Sequence, residues 1–255
     1  MSSSTWTPAA LSSEARPLEG RCWRAVEAQH HVSTAKLTDT ADETNRLEDL
    51  IDATKPAVPE EYRHLNYLLF TPFRYGAPYP TGTRFRRPGL APGVFYASAT
   101  ARTAMTEMAF HRLLFFAESP ATPWPANLGE YTAFAVDYAA GRAIDLTAPP
   151  FDADRALWTR PADYAACQTL ADAARAADID VIRYESVRDP PDGINLAILS
   201  CDAFAQPDHV DRQSWHIALN ARGARLVCEF PRVIVDFDRD AFAADARIAR
   251  LKWER

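Results

Sequence analysis

Apolar positions along the chain fall into helical and extended periods. Residues 38–54 carry Leu47, Leu50 and Ile51 as one stripe on an acidic background, which predicts an amphipathic helix that Pro56 and Pro59 end. Cys22–Val26 reads as a first strand, and His64–Phe70 as a short apolar segment, either strand or helical turn. Val94–Ala97, β-branched and aromatic, predicts a strand, after which Ser98 or Thr100 caps a helix running to about Ala117. Further on, Tyr131–Tyr138 and Arg142–Leu146 predict a hairpin turning near Gly141. Pro161–Ala177, Ala-rich with proline at its start, predicts a helix. Val181–Tyr184, Asn195–Ser200, Arg225–Phe230 and Val233–Phe237 predict strands. Strands dominate without a strict βαβ rhythm or an internal repeat. The expected fold class is therefore α+β, a mixed, largely antiparallel sheet with flanking helices.

The segment 71–93 breaks both periods: it holds five prolines and four of the nine glycines. It predicts a long loop, and loops of that length in compact domains are usually functional. Residues 1–20, rich in Ser, Ala and Pro, read as a mobile N-terminal tail. The remainder, 21–255, reads as a single domain with a helical elaboration at about 38–60.

Composition narrows the class. Apolar residues make up 47 % of the chain, enough for a core, with no run long enough to span a membrane; residues 1–20 lack a basic start and an apolar run, so no secretory leader is expected. The expected setting is cytoplasmic, without a membrane partner. Cys22, Cys167, Cys201 and Cys228 form no C-x-x-C pair and read as reduced core residues.

Net charge is −6, but from Tyr62 to Arg112 stand seven arginines (63, 74, 84, 86, 87, 102 and 112) against one acid, Glu107. A basic island in an acidic chain points to a compact anionic ligand; a long nucleic acid favours a broad basic face, so direct nucleic-acid binding is not expected. Arg86 and Arg87 read as solvated loop arginines.

Dinucleotide, phosphate-loop, serine-hydrolase and zinc-protease motifs are absent. Glu107 and His111 lie i, i+4 on the predicted helix, yet no third ligand accompanies them, so no metal is expected. His30, His31, His209 and His216 read as polar surface or strand-edge residues. Glu107 shares its face with Thr103, Ala104, Phe110, His111 and Leu114, a mostly apolar surround. A carboxylate there is costly unless paired or useful. The structural alternative is a salt bridge to Arg102, Arg112 or a loop arginine. The functional one is a catalytic carboxylate: cleavage of an N-glycosidic bond at a cationic leaving group builds positive charge on the ribose, which a carboxylate stabilises.

The runs Thr71-Pro72-Phe73-Arg74-Tyr75, Gly82-Thr83-Arg84-Phe85, Gly93-Val94-Phe95-Tyr96-Ala97-Ser98 and Thr103-Ala104-Met105-Thr106-Glu107 resemble the core of a RES-domain toxin. Tyr184-Glu185-Ser186-Val187-Arg188 and Gly193-Ile194-Asn195-Leu196 resemble its second signature, so the likeness runs from about Arg21 to Phe237. The resemblance implies an ADP-ribosyltransferase-like fold, NAD⁺ as substrate, and a toxin–antitoxin pairing with an Xre-type antitoxin. It implies Glu107 as catalytic carboxylate, Arg84 on phosphate or ribose, and Tyr96 on the nicotinamide end. Ser186, Asn195, Arg24 and Arg74 would complete the NAD⁺ site. Glu185 departs from the proline common before the serine. The implied reaction is scission of the nicotinamide–ribose bond with transfer to water or phosphate. Its alternatives are ADP-ribosylation of a protein target and a non-catalytic NAD⁺- or partner-binding module. Met105, where protein-modifying relatives often place a second acid, leans toward small acceptors.

Overall fold

A computed structural model describes residues 6–28, 34, 37–75, 80–189 and 193–255. Eight strands form one sheet: β1 (Arg16–Glu27), β2 (Phe95–Ser98), β3 (Gly129–Asp145), β4 (Val181–Glu185), β5 (Ile194–Ile198), β6 (Asp211–Asn220), β7 (Gly223–Cys228) and β8 (Val233–Asp238). Their order is β1-β2-β5-β4-β3-β6-β7-β8, and every pairing is antiparallel except β3–β4. A long antiparallel β1–β3 ladder closes β1, β2, β5, β4 and β3 into a ring, from which β6–β8 extend. The described helices are α1 (Pro8–Glu14), α2 (Ala41–Thr54), α3 (Tyr67–Arg74), α4 (Ala101–Glu118), α5 (Arg155–Trp158) and α6 (Ala165–Ala176). The sheet is mixed and largely antiparallel, with flanking helices, as the apolar pattern predicts.

Strand periodicity of two decides what faces what. Ser98, Asn195 and Tyr184 lie opposite one another across β2, β5 and β4, as do Tyr96, Ala197 and Ile182. This face is covered by α4, whose Met105, Ala109, Phe110 and Leu113 pack on β3, β6 and β7, and by α6, whose Cys167, Leu170, Ala171 and Ala174 pack on Ile144, Ile182 and Ala197. The other face, with Cys22, Phe95, Phe134, Leu196 and Ile198, forms a separate core closed by Leu65, Leu68, Leu69 and Phe73. All four cysteines are free and buried.

Several elements differ from the expectation. Residues 6–20 are not a loose tail: α1 buries Leu11 completely, and β1 begins at Arg16. The hairpin at Gly141 is one continuous strand, because the β1 ladder runs past it, pairing Leu18 with Ala140 and Arg16 with Ala143. The helix expected from Pro161 starts at Ala165, where the Asp163 carboxylate accepts the Ala165 N–H at 3.1 Å. Helix α2 forms with a Thr40–Glu43 capping box, but its stripe meets no core and buries no residue. His64–Phe70 resolves into the start of α3, capped by Asn66, which carries the chain into the expected loop only after Arg74. Strand β6 had no predicted counterpart, although Trp215, Ile217 and Leu219 alternate in burial. Residues 76–79 of the loop, with His30 and His31, lie outside the described residues. Among the described residues no helix is long and apolar enough to cross a membrane.

Candidate active site

Glu107 is half-buried on the first half of α4. Its Oε1 accepts two hydrogen bonds, from Ser186 Oγ at 2.7 Å and from Asn195 Nδ2 at 2.6 Å. Asn195 is itself oriented by Ser98, whose hydroxyl donates to Asn195 Oδ1 at 2.6 Å. Ser98, Asn195 and Ser186 are all buried, so the row Ser98–Asn195–Glu107–Ser186 is fixed before any ligand arrives. The expected salt-bridge partners are spent elsewhere: Arg112 pairs with Glu27 at 2.8 Å, and Arg102 lies 3.8 Å from Asp189. Among the described residues Glu107 forms no ion pair, and Oε2 accepts no hydrogen bond. Neutral donors hold this carboxylate through one oxygen and leave the other for a ligand.

The turn after β4 supplies Ser186. Its Oγ accepts the backbone N–H groups of Arg188 (3.2 Å) and Asp189 (3.1 Å), which directs the hydroxyl proton onto Glu107. The turn closes through Ser186 N–H to the Gly193 carbonyl at 2.7 Å and Gly193 N–H to the Asp189 carbonyl at 2.8 Å. A Cβ at Gly193 would run into the Asp189 carbonyl and the Ser186 side chain, which is why the signature places glycine there. Glu185 turns away to a bidentate pair with Arg155 (2.5 and 2.7 Å), leaving the Ser186 turn undisturbed.

Arg84 and Tyr96 form a second group. Thr83 and Arg86 bridge across a tight turn that Gly82 enters at φ +68°, a conformation glycine adopts without strain. Gln168 on α6 donates to the carbonyls of Thr81 (2.9 Å) and Thr83 (3.0 Å). The Tyr96 hydroxyl accepts the Phe85 N–H at 2.9 Å and lies 2.8 Å from Thr83 Oγ1. Tyr96 thus pins the turn that carries Arg84; burial raises its hydroxyl pKa. Arg84 is buried, donates to the Trp158 carbonyl at 2.6 Å, and lies 4.8 Å over the Tyr164 ring. Tyr184 links the two groups: burial, then the charge of Glu107, pushes its hydroxyl well above the ordinary value, while Arg84 opposes.

Two predicted site residues are not brought to this cluster. Arg24 lies on the opposite sheet face, where its guanidinium donates to the Tyr96 carbonyl at 2.7 Å and sits 5.1 Å from the Phe95 ring centroid; burial pulls its pKa down to about 10. The period of β1 decides this, because Trp23 pairs with Ser98 and its neighbour must point the other way. Arg74, at the end of α3, binds the Pro56 carbonyl and Asp52, tying α3 to the end of α2. The arginine block is likewise dispersed. Arg87 pairs with Asp172, and Arg86 is buried against the carbonyls of Leu90 and Tyr75, where a solvated side chain was expected. Of the seven, Arg84 is the one that the buried cluster draws in.

His111, one turn beyond Glu107, is held below its ordinary value by burial, against the raising effect of Glu107. Among the described residues no three His, Cys, Asp or Glu side chains gather as metal ligands do.

The model of the RES domain matches residues 58–220, nearly two thirds of the chain. The chain belongs to the RES-domain family. Glu107, Tyr96, Arg84, Ser186 and Asn195 all lie within the matched stretch, whereas α1, β1, α2, β7, β8 and the C-terminal segment lie outside it. Among solved structures, this RES-domain chain is similar to one described as the M. tuberculosis MbcT–MbcA toxin–antitoxin complex, at 14 % identity and a TM-score of 0.46, covering 80 % of this chain and 89 % of that one. No curated protein matches the sequence significantly.

The sequence reading assigned no site role to Ser98, Tyr164 or Gln168, nor to Tyr184 and Arg188, although the last two stand in the signature around Ser186. Period two gives a signal for Ser98, two residues past Tyr96, and for Tyr184, two before Ser186. Nothing local marks Tyr164 or Gln168, whose partners lie on the loop near residue 84.

Proposed function

We propose that this RES-domain protein binds NAD⁺ and cleaves its nicotinamide–ribose bond, passing the ADP-ribosyl group to water or phosphate and so depleting NAD⁺. The observation that carries the reading is Glu107, a carboxylate held at one oxygen by Ser186 and Asn195 and, among the described residues, in no ion pair. As the bond to the cationic nicotinamide breaks, positive charge grows on the ribose. A prepositioned carboxylate stabilises that charge without reorganising. Neutral donors suit this role: a salt-bridged carboxylate would have spent its field on the arginine. Arg84 supplies the guanidinium for phosphate or ribose, and Tyr96 keeps its turn in place.

Two residues before Glu107, where protein-modifying relatives often place a second acid, stands the fully buried Met105. This favours water or phosphate over an ADP-ribosylated protein target. The partner in this reading is a cognate Xre-type antitoxin, as membership of the RES-domain family implies. The setting is the cytoplasm, where NAD⁺ is plentiful.

The test is nicotinamide release from NAD⁺ by purified protein, wild type beside Glu107→Ala, with water and phosphate compared as acceptors. Release that vanishes in the variant is the expected result, and product masses name the acceptor. A folded wild type that binds NAD⁺ without release would overturn hydrolysis and phosphorolysis in favour of a strict transferase or a binding module.

A further inference from the structure

The C-terminal segment, outside the RES match, reaches back to the site. Asp245, almost wholly buried, binds two arginines through the same oxygen: Arg188 Nη2 at 3.0 Å and Arg247 Nη2 at 2.8 Å. Arg188 follows Ser186 by two residues, and its guanidinium lies 3.8 Å from the ring centroid of Phe110, just beyond Glu107 on α4. Arg247 lies 5.9 Å from the same ring, and Tyr164 acts electrostatically on it. Tyr164 is also the ring under Arg84, and Arg188 donates to the nearby Pro161 carbonyl at 2.7 Å. Three guanidinia from three distant parts of the chain thus meet around Tyr164 and Phe110.

Their charges do not balance. Arg188 and Arg247 share one carboxylate, and Arg84 has none among its described partners, only the Trp158 carbonyl and the Cys167 thiol. Asp163, close in sequence, pairs with Arg160. Among the described residues these three guanidinia face two carboxylates, Asp245 and Glu107, which leaves an excess of positive charge in a largely buried region. Such an excess is costly unless a ligand offsets it. Burial lowers the pKa of Arg188, and the positive charge of Arg84 acts in the same direction. Arg247, about a third exposed, is reachable from solvent.

We propose that Arg188 and Arg247, held together by Asp245, form with Arg84 and Tyr164 an anion-binding wall beside Glu107 that takes the diphosphate of a dinucleotide. The proposal rests on the NAD⁺ reading and specifies where its diphosphate goes. A diphosphate brings two negative charges and several acceptor oxygens, which the forked guanidinium geometry matches. Asp245 acts as a positioning residue: it holds both forks in one orientation and leaves part of their charge for the ligand. The C-terminal segment is then part of the site, although it lies beyond the family match.

The test uses the full chain and calorimetric titration with inorganic pyrophosphate, ADP-ribose and, as a ligand without diphosphate, nicotinamide riboside. Arg247 carries it, because replacing Arg188 would strand Asp245 in the core. Arg247→Ala is expected to weaken pyrophosphate and ADP-ribose by about tenfold or more, the loss of a charge-assisted contact, and to leave nicotinamide riboside unchanged. Arg247→Lys is expected to recover part of the loss, as a point charge without the fork. Should the alanine variant lose its thermal transition, Arg247→Gln is measured in its place. Unchanged pyrophosphate and ADP-ribose affinity in the folded variant overturns the wall, as does a wild type that binds neither. The two readings separate cleanly. Pyrophosphate binding that depends on Arg247 without nicotinamide release supports the wall and removes the reaction. Release together with an Arg247-independent pyrophosphate affinity does the reverse.

Discussion

Asn195 Nδ2 lies 2.6 Å from Glu107 Oε1, joining β5 to α4 across 88 positions of sequence. The contact defines the site, because Asn195 is aligned by Ser98 from the neighbouring strand while Ser186 meets the same oxygen from the turn after β4. Sheet and helix are both rigid elements, so the carboxylate is positioned by the fold rather than by the ligand.

Replacing that carboxylate by its amide separates chemistry from structure. In Glu107→Gln the amide oxygen still accepts from Ser186 and Asn195. Stability is expected to stay within about 1 kcal/mol of wild type. Nicotinamide release is expected to fall by roughly 10²–10³-fold in kcat, with NAD⁺ affinity largely kept. Thermal melts read stability, a steady-state assay reads nicotinamide release, and calorimetry reads NAD⁺ affinity. A variant that unfolds would return Glu107 to a structural role.

Tyr96→Phe tests whether the tyrosine acts through the Arg84 turn. The Phe85 N–H loses its acceptor, at a cost of about 1–3 kcal/mol in stability. With the turn loosened, KM is expected to rise more than kcat falls. A fall in kcat at constant KM would show instead that the hydroxyl takes part in the chemistry.

Gly193→Ala places a methyl group against the Asp189 carbonyl and the Ser186 side chain. Crowding of this kind costs about 1–3 kcal/mol. Because the displaced group is Ser186, kcat is expected to fall with the melting temperature. Wild-type values for both would mean that the turn adjusts freely.

His111 predicts a pH dependence of stability. Burial, the largest influence, disfavours its protonated form, so the folded-state pKa lies below the unfolded value of about 6.5. Between the two values the unfolded chain binds more protons. Stability is therefore full above about pH 6.5 and is lost as pH falls below it. Melting temperatures from pH 7.5 to 5 should decline in the wild type and decline less in His111→Gln. Parallel curves would assign the acid sensitivity to other groups.

Much of this protein was legible from residue order. The apolar periods of β2, α4, β4 and β5 marked those elements, because each buries a face whose pattern is local. The signatures around Arg84, Tyr96, Glu107, Ser186 and Asn195 named the residues of the site, and Gly82 and Gly193 stand where backbone geometry requires glycine. Tertiary structure decided the rest. Sequence could not tell that β3 runs straight through Gly141, since the cause is a ladder with β1 more than a hundred residues away. Nor could it separate Arg84 from Arg24 and Arg74: which arginine meets the carboxylate side depends on strand register and loop closure, not on residue type. The exposed stripe of α2 shows the converse, a sequence pattern of burial for which the described chain supplies no surface. The meeting of Asp245 and Arg247 with Arg188 left no mark on the sequence at all, because ion pairs at long separation are fixed only when the whole chain packs.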